Sequence, residues 1–202
     1  LSFKEIEITI LRGENRKKTA SRRGDIGITH QGISGPGIID FSREFEAEDR
    51  LLINFINKSS EKVEADFMEY MAKHGKNSIK SFYRESGMAD SFIKAATEKI
   101  GVDENKKCSE INKSERKSIV NSLCAMEFEI EKIGGYEIAM VTAGGVECSE
   151  VSPSTMESKM IKNLYFAGET LDIDGDTGGY NIQAAFSTAY SAVKKIMADI
   201  SE

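Results

Sequence analysis

The chain has 202 residues, 30% of them charged and 40% hydrophobic, with a formal net charge of −6. Such a length buries one core or two small ones, and an acidic balance without a long basic run argues against nucleic acid or an anionic membrane as partner. Cys108, Cys124 and Cys148 are widely spaced and form no C-x-x-C pair. A disulfide framework and a zinc site are therefore not expected, while a reducing cytoplasmic setting is. No leader pattern or apolar run of membrane-spanning length is present.

The first sixty residues read as β-structure. Ile6, Ile8 and Ile10 alternate with Glu5, Glu7 and Thr9, one dry face against one wet face. Gly13-Glu14-Asn15 marks a turn, Ile26 and Ile28 continue the alternation, and Leu51–Ile56 predicts a further strand. Arg16–Arg23 (RKKTASRR) reads as a solvated hairpin loop, with a phosphate or protein contact as the alternative. Gly35-Pro36-Gly37 suits a turn into a short helix with proline in its first turn.

From about Glu61 to Leu123 the period becomes helical. Val63, Phe67, Tyr70 and Met71 recur at three and four, as do Met88, Phe92, Ile93, Ala96 and Ile100. Asn112 and Glu115 resemble a capping arrangement opening a third helix through Ile119, Val120 and Leu123. Met126, Phe128 and Ile130 then alternate with glutamates, which returns the chain to strand. Because strands flank it, the helical segment is expected to be an insert that folds independently of the barrel.

The last sixty residues carry the most informative stretch, Leu164–Ala185. Leu164, Tyr165, Phe166 and Ala167 read as a parallel-sheet strand buried on both faces. Gly175, Gly178 and Gly179 allow close backbone approach, and a helix begins at about Tyr180 with its unpaired N–H groups facing the loop. Ile182, Ala185, Phe186, Ala189, Val193, Ile196 and Met197 form one apolar face of this helix, and much of the sheet that would cover it is expected to come from a missing N-terminal half.

Three segments carry a family resemblance: Ile28–Ile39 (ITHQGISGPGII), Val141–Lys159 (VTAGGVECSEVSPSTMESK) and Leu164–Phe186. They resemble the bacterial FAD-dependent flavoproteins that include NAD(FAD)-utilising dehydrogenases and aminoacetone-oxidase-type enzymes. The resemblance implies an α+β fold: a β-barrel with a helical insertion, followed by the C-terminal strand-loop-helix part of an FAD/NAD(P)-binding Rossmann-like domain. The corresponding boundaries are 1–60 for the first barrel strands, 61–123 for the insertion, 124–141 for the returning barrel strands and 142–202 for the cofactor domain.

By the same resemblance, Gly168 and Glu169 would meet the ribityl or pyrophosphate region of FAD. Gly178, Gly179, Tyr180 and Asn181 would meet the isoalloxazine ring, and Thr142, Gly144 and Gly145 would line its other edge. Asp174 lies in the loop that would shape the pocket. Asp172, Asp174 and Asp176 mimic the start of an EF-hand, but Thr177 and Gln183 stand where glycine and glutamate are required, so no metal is expected. His30 is either a proton carrier or a hydrogen-bonder at a turn, and the catalytic residues stay unassigned.

No G-x-G-x-x-G follows a strand anywhere in the chain, since Gly32-Ile-Ser-Gly35-Pro-Gly37 has the wrong order. The chain is accordingly expected to be a piece of an FAD-dependent oxidoreductase, inactive and without FAD by itself. The competing class is a non-catalytic structural or interaction module that folds without cofactor. If the chain is stable alone, self-association through the C-terminal piece is expected, because its strand edge and helix face lack cover; the alternative is that this piece frays or repacks onto the barrel and the chain stays monomeric. The small-molecule substrate is not readable from these residues.

Overall fold

The computed structural model describes residues 1–201 and divides into two units, Leu1–Lys132 and Ile133–Glu202.

The first unit is built on a curled five-stranded antiparallel sheet. Strands β1 (Ser2–Arg12) and β2 (Lys17–Thr29) form a long hairpin, and Gly13 at φ 72° lets the chain reverse. Strand β3 (Gly32–Ser34) extends β2, while β4 (Arg50–Asn54) and β5 (Met126–Glu129) continue from β1, giving the order β3-β2-β1-β4-β5. Ile8 lies opposite Ile53, and Ile10 opposite Leu51, so the alternating isoleucines and their partners share one buried face. Arg16–Arg23 is not a hairpin loop: the turn occupies residues 13–16, and from Lys17 the basic stretch pairs along β1. Charge does not prevent a strand when alternate side chains reach water.

The Gly35-Pro36-Gly37 motif opens α1 (Pro36–Ile39), with proline in the first turn. A Cβ on Gly24 would stand 2.6 Å from the Gly37 Cα, so α1 lies directly against the β2 backbone. Only a glycine at each position allows that approach.

Four helices occupy the segment between β4 and β5: α2 (Ser60–His74), α3 (Ile79–Glu85), α4 (Asp90–Ile100) and α5 (Lys113–Cys124). The Ser59 side chain caps α2, and Asn112 with Glu115 forms a full capping box on α5. Helix α3 was not legible in the periodicity because its two turns are too short to establish one. The Phe55 N–H donates to the Leu123 carbonyl at 2.9 Å, which brings the two ends of the helical segment together.

The helices and the sheet share one core, contrary to the expectation of an independent insert. Ile8, Ile10 and Ile53 belong to the same buried cluster as Phe67, Phe92 and Ile119. The Phe55 ring stands 4.7 Å from Phe3 and 4.8 Å from Phe92, joining β1, the end of β4 and α4. Deeper in the helices, the Tyr83 and Ser122 hydroxyls share a buried hydrogen bond of 2.6 Å. Burial pushes the Tyr83 phenol up to about 12, against the lowering effect of Ser122.

The chain returns to the sheet only as β5, and residues 134–141 form turns rather than further barrel strands. Tyr136, Ile138 and Met140 are exposed there, so that segment has no buried face to order a ladder.

The second unit has little β-structure. Its pairings are single bridges, Val146 with Leu171 in parallel, and Val151 with Ser158 and Glu157 with Tyr165 antiparallel. Leu164–Ala167 therefore does not form the expected doubly buried parallel strand. Leu164 is exposed and Tyr165 has one antiparallel bridge, because no neighbouring strand runs beside it among the described residues. Helix α6 (Tyr180–Ile200) packs through Ala192 against Val151, Met156 and Leu171. The apolar face of α6 is open at its large residues: Ile182 is 65% exposed, Phe186 73%, Val193 56% and Met197 58%. Only its smaller members and Ile196 are half-buried.

Candidate functional site

Two loops of the second unit meet at the start of α6. The first covers residues 142–146 and the second residues 167–179. The Val146 N–H donates to the Thr170 carbonyl at 2.8 Å, and the Asp172 N–H donates back to the Val146 carbonyl at 2.9 Å. Gly145 sits at this crossing with φ 153°, and a Cβ there would stand 2.7 Å from the Leu171 carbonyl carbon. The Ala143-Gly144-Gly145 sequence is therefore what lets the two backbones touch.

Side chains fasten the crossing. Glu169, in a 3-10 turn at Gly168–Thr170, accepts the Thr142 N–H at 2.8 Å and the Thr142 hydroxyl at 3.1 Å on Oε1. Asp172 Oδ1 accepts the Gly144 N–H at 3.1 Å. Gly168, at φ 66°, donates its N–H to Thr188 Oγ1 at 2.9 Å, and Thr188 donates onward to the Ala184 carbonyl at 2.7 Å. That link ties the 3-10 turn to the third helical turn of α6.

The glycine loop closes on itself. Asn181 Oδ1 accepts the Gly175 N–H at 2.8 Å, and Asn181 Nδ2 donates to the Gly175 carbonyl at 2.9 Å. Gly178 and Gly179 follow at φ 141° and 88°, and Gly179 begins α6 without a side-chain cap. The first intrahelical bond runs from the Gln183 N–H to the Gly179 carbonyl at 3.0 Å. The N–H groups of Tyr180, Asn181 and Ile182 lie before it and have no acceptor within the helix. Open space lies where a Cβ would stand on Gly144 or Gly179. Backbone donors beside open, glycine-lined space suit a flat, electron-rich group.

The structure thus brings Thr142, Gly144 and Gly145 together with Glu169, and Gly178, Gly179 and Tyr180 together with Asn181. Asp174 is half-buried within the second loop. Glu169 directs its carboxylate at Thr142. His30 lies exposed on the turn between β2 and β3, in the first unit. Thr188 is a contributor that residue patterns did not single out, and Asp172 is one they marked only as part of an EF-hand-like run. The signal for Thr188 is a hydroxyl among the small residues of an otherwise apolar helix. No group of three or more histidine, cysteine or acidic side chains suited to a metal ion forms among the described residues. Among the same residues no helix is long and apolar enough to cross a membrane.

The protein has two parts, a sheet-and-helix unit followed by a glycine-loop-and-helix unit. Residues 1–141 match the HI0933-like protein barrel and H2TH domain, and residues 123–195 match the HI0933-like protein Rossmann domain. The chain belongs to the HI0933-like family. It is 31% identical over 168 residues to the ribosomal RNA dihydrouridine synthase of Haemophilus influenzae, covering 83% of this chain and 41% of that protein. The Escherichia coli protein of the same name is 28% identical over 179 residues, 87% of this chain and 43% of that one. The 3-dehydro-bile acid delta(4,6)-reductase of Clostridium scindens is 29% identical over 185 residues, 88% and 45% of the two chains. The chain therefore spans less than half the length of each of these relatives.

Proposed function

We propose that this chain is the barrel, helical and C-terminal Rossmann portion of an FAD-dependent oxidoreductase that saturates a ring carbon–carbon double bond. The observation that carries the reading is the pair of crossing glycine loops at the uncapped start of α6, within the segment matched by the family's Rossmann model. The relatives' names share one reaction type, since making dihydrouridine and reducing a delta(4,6) steroid both saturate a ring double bond. FAD, when bound, supplies the hydride chemistry.

On this reading the chain's own residues take the following roles. The N–H groups at Gly179 and Tyr180 bring partial positive charge toward the ring edge that gains electron density on reduction. Thr142, Gly144 and Gly145 line the opposite edge, where the open space beside Gly144 lets the ring approach the backbone. Gly168 and Glu169 stand where the ribityl chain would pass, with Glu169 already orienting the Thr142 loop.

The chain alone does not retain the cofactor on this reading. Nanomolar binding needs about −12 kcal/mol. A helix end contributes roughly 0.3–2 kcal/mol and each hydrogen bond about 1 kcal/mol net, and no G-x-G-x-x-G turn is present for the pyrophosphate.

The second reading is a module that folds without cofactor, and the first unit's self-contained core favours it. Two preparations separate the readings: this chain, and a longer polypeptide that adds a G-x-G-x-x-G half. The oxidoreductase reading expects a colourless chain and a yellow longer protein, whose reduced flavin is reoxidised when a cyclic enone is added. A longer protein that purifies colourless and takes up no FAD overturns it.

A further inference from the structure

We propose that Asn181 is a positioning residue, whose carboxamide shapes the glycine loop before any cofactor arrives, so that backbone N–H groups rather than its own side chain receive the cofactor. This rests on the flavin reading of the site given above. Asn181 pairs both its amide oxygen and its amide nitrogen with one residue, Gly175, at 2.8 and 2.9 Å. The pair closes a loop of seven residues in the manner of a two-bond strand bridge. Within it, Gly178 and Gly179 hold successive positive φ values. Glycine reaches such angles readily and leaves them as readily, because it has the largest conformational freedom of any residue.

An unclamped Thr-Gly-Gly segment would spread the direction of the first helical donors over many conformations. The clamp removes that spread, and its cost is met in folding rather than in binding. The loop is also closely packed: a Cβ on Gly175 would stand 3.1 Å from the Tyr180 Cβ. Half-buried Asn181 thus acts through the backbone of its neighbours. Aspartate in its place would keep an acceptor for the Gly175 N–H but set a carboxylate oxygen against the Gly175 carbonyl.

The test combines hydrogen exchange on the full chain with FAD titration, followed by flavin fluorescence, of the longer polypeptide that adds a G-x-G-x-x-G half, using wild type, Asn181→Ala and Asn181→Asp in each. In Asn181→Ala, exchange at the Gly175 amide should rise about thirtyfold, from two lost hydrogen bonds of about 1 kcal/mol each. Amides from Ala185 to Ala192 should keep wild-type protection, which shows that α6 is still folded. FAD affinity should fall by a similar factor, and Asn181→Asp should restore part of the Gly175 protection. Unchanged exchange at Gly175, or equal FAD affinity in wild type and Asn181→Ala, overturns the inference while leaving the flavin reading in place. A longer wild-type protein, with its G-x-G-x-x-G half, that takes up no FAD overturns the flavin reading, and this role with it.

Discussion

Phe92→Ala should loosen the sheet and the helices together. The Phe92 ring is 3% exposed and stands between α4 and the sheet, 5.5 Å from Phe3 and 4.8 Å from Phe55. Phe55 in turn contacts Phe128 on β5, at 6.4 Å. Removing a buried phenyl costs about 3–5 kcal/mol through lost transfer energy and the cavity left behind. That is a large share of the roughly 5–15 kcal/mol that holds a domain of this size. Segment-resolved hydrogen exchange is the suitable assay, since two units make a single melting curve ambiguous. If one cooperative core spans both layers, protection at Ile8, Ile10 and Ile53 should fall with that of α4 and α5, by roughly 10²- to 10⁴-fold. Loss confined to α4, with β1 and β4 at wild-type protection, would refute the shared core and restore the independent insert.

Other substitutions address the remaining structure. Gly179→Val should abolish flavin retention in a longer, FAD-loaded protein while leaving the first unit's melting unchanged; the residue sits at φ 88°, and its added methyls would fill open space at the ring's approach. Equal flavin content in variant and wild type would place the cofactor elsewhere. Asp49→Asn should destabilise the first unit by about 1–3 kcal/mol in urea titration at neutral pH, because buried Asp49 receives two hydrogen bonds of 2.9 Å from Arg12. Those bonds hold the Asp49 carboxyl below its usual range, against burial and with help from the Glu46 N–H. The stability is therefore full above the unfolded carboxylate pKa of about 3.9 and is lost as pH falls through the lower folded value, so wild type and variant should converge in acid. A gap that stays constant down to the acid limit would count against it. The stripe of Ile182, Phe186, Val193 and Met197 on α6 should drive self-association of this chain, since covering ~400 Å² of it contributes about 10 kcal/mol before association entropy. Light scattering should show Phe186→Glu shifting the population toward monomer, and a wild type that stays monomeric at high micromolar concentration would end that idea.

Much of the first unit was determined by local pattern. The period of two in Ile6-Ile8-Ile10 and Met126-Phe128, the period of three and four in Val63-Phe67-Tyr70, and the Asn112–Glu115 box each specify an element through contacts a few residues apart. The glycines around Tyr180 likewise announced a backbone that must bend and be approached closely. The sequence could not show which elements share a core: Phe3, Phe55 and Phe92 are far apart along the chain and meet only because the sheet curls under α4. Nor could an apolar stripe reveal which side of α6 is covered. Burial depends on what stands opposite, and within the second unit a small core built on Ala192 takes the small-residue side and leaves Phe186 outward. Leu164–Ala167 makes the same point. Its apolar character is local, but a strand exists only where another strand offers its N–H and carbonyl groups, and among the described residues Tyr165 finds a single bridge.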